Sequence, residues 1–171
     1  MATYDYGCLM LGFNIPEIKK IQERIDEKDL YLGDKSENDL ESYGFEEEHH
    51  VTLLYGLLPN VEWKDLKKYL LPLDKYLCIM PSLSIFENDK YDVLKLTVIS
   101  PEMHITNKKL RENVEYHETY PDYQPHMTIA YLKPGKGKKY AKPLLDKIIE
   151  ATPRTYDFSK ADGERHIYNK L

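Results

Sequence analysis

A chain of 171 residues, 42% hydrophobic and 31% charged, suits one soluble domain with a core of its own. Its net charge of −5 lacks the basic excess that holds long duplexes by their phosphates, so a nucleotide partner should be small or short. The longest apolar runs are too short to span a bilayer and no secretory signal opens the chain, so no membrane partner and a cytoplasmic setting are expected. Cys8 and Cys78 lie in apolar surroundings and read as buried free thiols of a reducing compartment.

Residues 4–14 read as a first strand stopped at Pro16. Pro16 then opens a helix expected over 16–30, with Ile18, Ile21 and Ile25 at helical spacing. Residues 31–47 are polar and aperiodic, a surface loop. A β-rich run follows over 49–57, and a helical pattern over 61–71 places Trp63, Leu66 and Leu70 on one side. Strands are expected over 77–86 and 93–100, joined by the turn-like Glu87-Asn88-Asp89-Lys90, then a helix over 101–114. An irregular approach leads to a strand over 126–133. A helix is expected over 136–151, and one or two short strands after Arg154. This alternation without a linker describes one α+β domain of two similar halves, approximately 1–75 and 76–171.

One short pattern recurs. HVTLLYGL begins at His50 and HMTIAYLK at His126; both read His, apolar, Thr, apolar, apolar, Tyr. Period two puts His50 and Thr52 on one strand face with Leu54, and His126 and Thr128 on one face with Ala130. The same parity sends Tyr55 and Tyr131 to the core side. His104 and His117 also have Thr two positions on, but one sits in a helical pattern and the other in a polar loop. Only the copies at 50 and 126 lie in apolar strands with the matching Tyr.

In-line cleavage of a phosphodiester needs a base on the attacking oxygen and an acid on the leaving oxygen, and histidine can serve as either. Two threonine hydroxyls can donate to the non-bridging oxygens. His50, Thr52, His126 and Thr128 are therefore the candidate catalytic residues, with no metal and no cofactor. The carboxylates and imidazoles of residues 46–50 do not make a metal site, because adjacent His49 and His50 point to opposite faces.

These motifs, His50-Val51-Thr52-Leu53 and His126-Met127-Thr128-Ile129, resemble those of the 2H phosphoesterase superfamily. The resemblance implies a bilobal α+β domain with pseudo-two-fold symmetry, antiparallel sheets lining a central cleft, helices outside, and strands exchanged between the lobes. It also implies a metal-independent phosphodiesterase in which the two histidines divide the acid and base roles. The implied substrates are a small nucleotide, a cyclic oligonucleotide or an RNA end, with 2′,3′-cyclic or 2′-5′ linkages among them. Short length and a Tyr-, Lys- and Glu-rich composition point to the phage-encoded anti-CBASS members, which act on cyclic messengers in the host cytoplasm. A monomer is expected. Tyr123 and Tyr6 are candidates to stack a base, and Lys133, in the basic loop 133–139, to attract an anionic substrate. The rival reading is a non-catalytic nucleotide- or RNA-binding protein on the same fold.

Overall fold

Short strands and shorter helices follow from where proline and glycine fall. The computed structural model describes residues 3–33 and 43–171; most of the expected loop 31–47 lies outside the described residues. β1 (Gly7–Gly12) ends ahead of Pro16, which caps α1 (Glu17–Glu23). α1 is shorter than its isoleucine spacing suggests, and a 3-10 turn over Glu27–Asp29 follows, started by Asp26 accepting from the Lys28 N–H. β2 (His50–Leu57) carries the first motif. The helix expected over 61–71 shrinks to α2 (Trp63–Leu66), begun by Asp65 accepting the Glu62 N–H, and a 3-10 turn over Lys67–Tyr69.

The strand expected over 77–86 divides into β3 (Cys78–Met80) and β4 (Leu83–Glu87), because Pro81 cannot donate to a ladder. β5 (Asp92–Thr97) leads to α3 (Pro101–Asn113), capped by Ser100 accepting from Met103, and β6 (His126–Leu132) carries the second motif. The helix expected over 136–151 does not form. Pro143 lacks an N–H and clashes with the preceding turn, so the stretch yields only a 3-10 turn at Lys138–Tyr140 and β7 (Ile149–Ala151). β8 (Thr155–Ser159) and β9 (Arg165–Tyr168) complete the chain. Among the described residues, no helix is long and apolar enough to cross a membrane.

All named strand pairs are antiparallel. One sheet has the order β2-β1-β8-β9, a second β4-β5-β6, and β3 pairs with β7. Each half thus repeats strand, helix, strand: β1-α1-β2 and β5-α3-β6. The two motif strands are the edges at which the main sheets approach one another. The C-terminal strands β8 and β9 extend the first half's sheet. This is the α+β architecture of two similar lobes expected from the sequence. Leu9, Leu11, Val51, Leu94, Leu96 and Met127 fill the core faces and are fully buried.

Both motif strands are bulged at the same motif position. Thr52 faces Met10 and Leu54 faces Leu9, so Leu53 has no partner across the ladder. Thr128 faces Lys95 and Ala130 faces Leu94, so Ile129 is the extra residue of β6. A bulge resets the alternation of side chains. Tyr55 and Tyr131 therefore return to the face of their His and Thr, which corrects the core-side placement from strict parity. Leu54 and Ala130, expected beside the histidines, are the residues that go to the core.

A bulge leaves backbone groups outside the ladder, and buried ones must find partners. The Leu53 carbonyl accepts from Asn107 Nδ2 of α3 at 2.6 Å, and Asn107 is buried. The Ile129 carbonyl accepts from Gln22 Nε2 of α1 at 3.1 Å and from the Glu46 N–H at 2.9 Å. Each half's helix packs on the other half's motif strand and braces its bulge. Asn107→Leu should therefore lower unfolding free energy by about 1–3 kcal/mol in urea denaturation, by stranding a buried carbonyl. The exposed neighbour Lys108→Ala should change it by less than about 0.5 kcal/mol.

Candidate active site

Between the two sheets lies a cavity of about 440 Å³. β2 contributes Thr52 and Tyr55, and β6 contributes His126, Thr128 and Tyr131. The bulges bring both tyrosines there.

His126 Nδ1 lies 2.8 Å from the Gln124 carbonyl. A carbonyl only accepts, so Nδ1 carries the proton and Nε2 keeps its lone pair. Desolvation in the cleft pushes the His126 pKa below the ordinary histidine value; the Gln124 bond opposes this and the Lys95 ammonium reinforces it. Residue 126 is thus an imidazole held neutral, with one nitrogen available as a base.

His50 is held differently. Its Nε2 lies 3.1 Å from Asp157 Oδ2 and its Nδ1 3.5 Å from Glu48 Oε2. Arg165 closes the group, donating to both Asp157 oxygens and, at 2.8 Å, to Glu48. These residues line a smaller neighbouring cavity of about 400 Å³. Thr52, Thr128 and His126 therefore share one cavity, while His50, on the same face of β2, lines the next. Gly12, which faces both His50 and Thr155, makes this packing possible: a Cβ there would come within 2.3 Å of Thr155 Oγ1.

Asp157 and Arg165 gave no signal in the sequence, because they lie more than a hundred residues from His50 and only strand order unites them. Burial alone would raise the pKa of Asp157, which is 1% exposed, but bonds from His50 and Arg165 outweigh it and hold the carboxyl below its usual range.

The other candidates occupy structural positions. Tyr123 lines the main cavity, and its hydroxyl donates to the Thr52 carbonyl at 2.8 Å; burial pushes its phenol pKa upward. It braces the strand under Thr52. Tyr6 is absent from the cavity wall; it stacks on His117 with centroids 4.9 Å apart and meets Tyr55 edge-on. Lys133 Nζ donates to the Lys28 carbonyl at 2.7 Å, outside both cavities. Lys138 and Lys139 of the same loop pair with Glu87 and Asp29. His49 accepts from the Ile15 N–H at 3.3 Å. Among the described residues, no three His, Cys, Asp or Glu side chains converge as a metal requires. Both cysteines are free thiols, and burial pushes Cys8 up to about 12 and Cys78 up to about 11.

Asp157 is stabilising only while its cation remains. Arg165→Met should cost about 3 kcal/mol in urea denaturation at pH 7, and adding Asp157→Asn should recover most of it. Because the folded carboxyl titrates below its unfolded value, the pair's contribution is complete above about pH 4 and declines as pH falls through the lower folded pKa. Asp157→Asn should remove that acid sensitivity.

No protein-family model matches the chain, and no curated protein does. Among solved structures, Usb1 of Kluyveromyces marxianus matches with a TM-score of 0.55 at 9% identity, over 98% of this chain and 99% of that one. The likeness spans both lobes and shows the fold, an α+β architecture shared with Usb1.

Proposed function

We propose that this chain is a phosphodiesterase that cleaves a phosphodiester in a small nucleotide or oligonucleotide using its two His-x-Thr strands and no metal. The observation that carries this reading is the shared bulge, which sets Thr and Tyr of both motifs, with His126, around one cavity. His126 Nε2 takes the proton of the attacking hydroxyl as the new P–O bond forms. Thr52 and Thr128 donate to the non-bridging oxygens, where charge builds. His50 is left to protonate the departing oxygen, its ring turning from Asp157 toward Thr52. Tyr55, Phe86 and Tyr120 offer aromatic faces suited to nucleobases. Within this reading, 2′,3′-cyclic, 2′-5′ and cyclic oligonucleotide substrates are the classes to compare. Countering host immune signalling in the host cytoplasm is the role suited to the last of them.

A second reading, nucleotide binding without turnover, draws on one observation: His50 is engaged by Asp157 and Arg165 in the neighbouring cavity. Incubation with a panel of these nucleotides in EDTA separates the two. The enzyme reading expects turnover of at least one class, reduced by about 10²–10⁴-fold in His126→Ala and in His50→Ala. Binding without turnover of any class would favour the second. A base must be unprotonated to act, and the His126 pKa is lowered. The acid limb of kcat/KM should therefore have its midpoint below about pH 6.5, the ordinary histidine value. A limb that survives His126→Ala would remove His126 from the base role.

A further inference from the structure

Lys95 is a cation in the cavity wall with no anion to match it. It stands on β5 directly across from Thr128, between the buried core residues Leu94 and Leu96. Its side chain is half-buried, and its Nζ donates to the Ser84 hydroxyl at 2.9 Å. That hydroxyl is in turn 3.2 Å from the Thr97 hydroxyl. Among the described residues, no carboxylate pairs with Lys95. Burial alone pushes its pKa downward.

Among the described residues, the other half-buried or bonded cations are spent. Arg165 pairs with Asp157 and Glu48, Lys160 with Glu62, and Lys139 with Asp29. Arg111, the other cation on this cavity, donates to the Tyr120 and Pro121 carbonyls at 2.7 and 2.8 Å and reaches Glu118. It holds the loop over 118–121. Taking an ammonium out of water beside neutral hydroxyls costs folding free energy, and a carboxylate partner normally offsets that cost. Among the described residues Lys95 has none, which leaves the matching negative charge to a ligand.

Position identifies the anion. Side chains directly across an antiparallel pair are about 5 Å apart at Cβ, so Lys95 and Thr128 can address one small group together. An ammonium and a hydroxyl side by side suit adjacent oxygens of a phosphate. We propose that Lys95 binds a non-bridging oxygen of the scissile phosphodiester beside Thr128, and neutralises the charge that builds there in the transition state. This rests on the phosphodiesterase reading, and it narrows the substrate to linkages whose phosphorus carries a full negative charge. The same ammonium also helps keep His126 neutral.

The test uses Lys95→Met, with Lys95→Gln as a second variant that retains a polar group. Binding of inorganic phosphate and of a nucleoside monophosphate is measured by calorimetry, together with Tm and turnover of whichever substrate the wild type cleaves. Both variants should lose at least tenfold in phosphate affinity while Tm stays level or rises, because an uncompensated charge is gone. Where turnover exists, kcat/KM should fall about 100-fold, as for loss of one transition-state donor. A linkage made neutral as a methylphosphonate should bind the wild type and Lys95→Met alike. Unchanged phosphate affinity in both variants overturns the proposal, whatever Tm does. Turnover lost in His126→Ala but intact in Lys95→Met would reject Lys95 and keep the phosphodiesterase. Absence of turnover in wild type would reject the enzyme and leave the binding measurement to decide Lys95.

Discussion

The two amide-to-carbonyl bonds that brace the bulges govern how this molecule presents chemistry. A strand of strict period two cannot place His, Thr and a Tyr five residues after His on one face. The extra residue makes it possible, and each extra residue exposes a carbonyl that a side-chain amide, Asn107 or Gln22, helps to satisfy. Since each amide comes from the other half's helix, neither lobe can set its own motif alone. Two-fold symmetry is thus also a mutual dependence, and the register of the cavity reports whether both halves are docked.

Within that frame the two histidines receive opposite electrostatic treatment. His126 lines the cleft, its proton fixed by a backbone carbonyl and a cation nearby. His50 sits in a network of two carboxylates and a guanidinium. The C-terminal strands β8 and β9, which join only the first half's sheet, supply Asp157 and Arg165 to His50 and so make the surroundings of the two motif histidines different.

The two His-x-Thr strands and the α+β alternation were legible because they depend on local pattern: apolar periodicity, proline at α1 and α3, and the repeat itself. The bulges were not. Leu53 and Ile129 look like any apolar strand residue, and what displaces them is an amide from a distant helix. The Asp157–Arg165 network is likewise a product of strand order. Leu144, Leu145, Ile148 and Ile149 stand at helical spacing, but Pro143 breaks the helix expected over 136–151. Lys95 carries no local signal, because only strand pairing sets it beside Thr128.

Gly56 has a consequence beyond the geometry of its strand. Its φ of 97° and the 2.2 Å that would separate a Cβ from the His117 carbonyl leave room for glycine alone. The Gly56 carbonyl accepts from the His117 N–H at 2.8 Å, and Leu58 donates to Glu115, so residues 115–117 lie along the outer rim of β2. β2 ends its sheet, and an uncovered terminal strand is a template for pairing with other chains. By admitting that segment, one glycine keeps the strand that carries the first motif from recruiting a neighbour, and so guards the protein against aggregation.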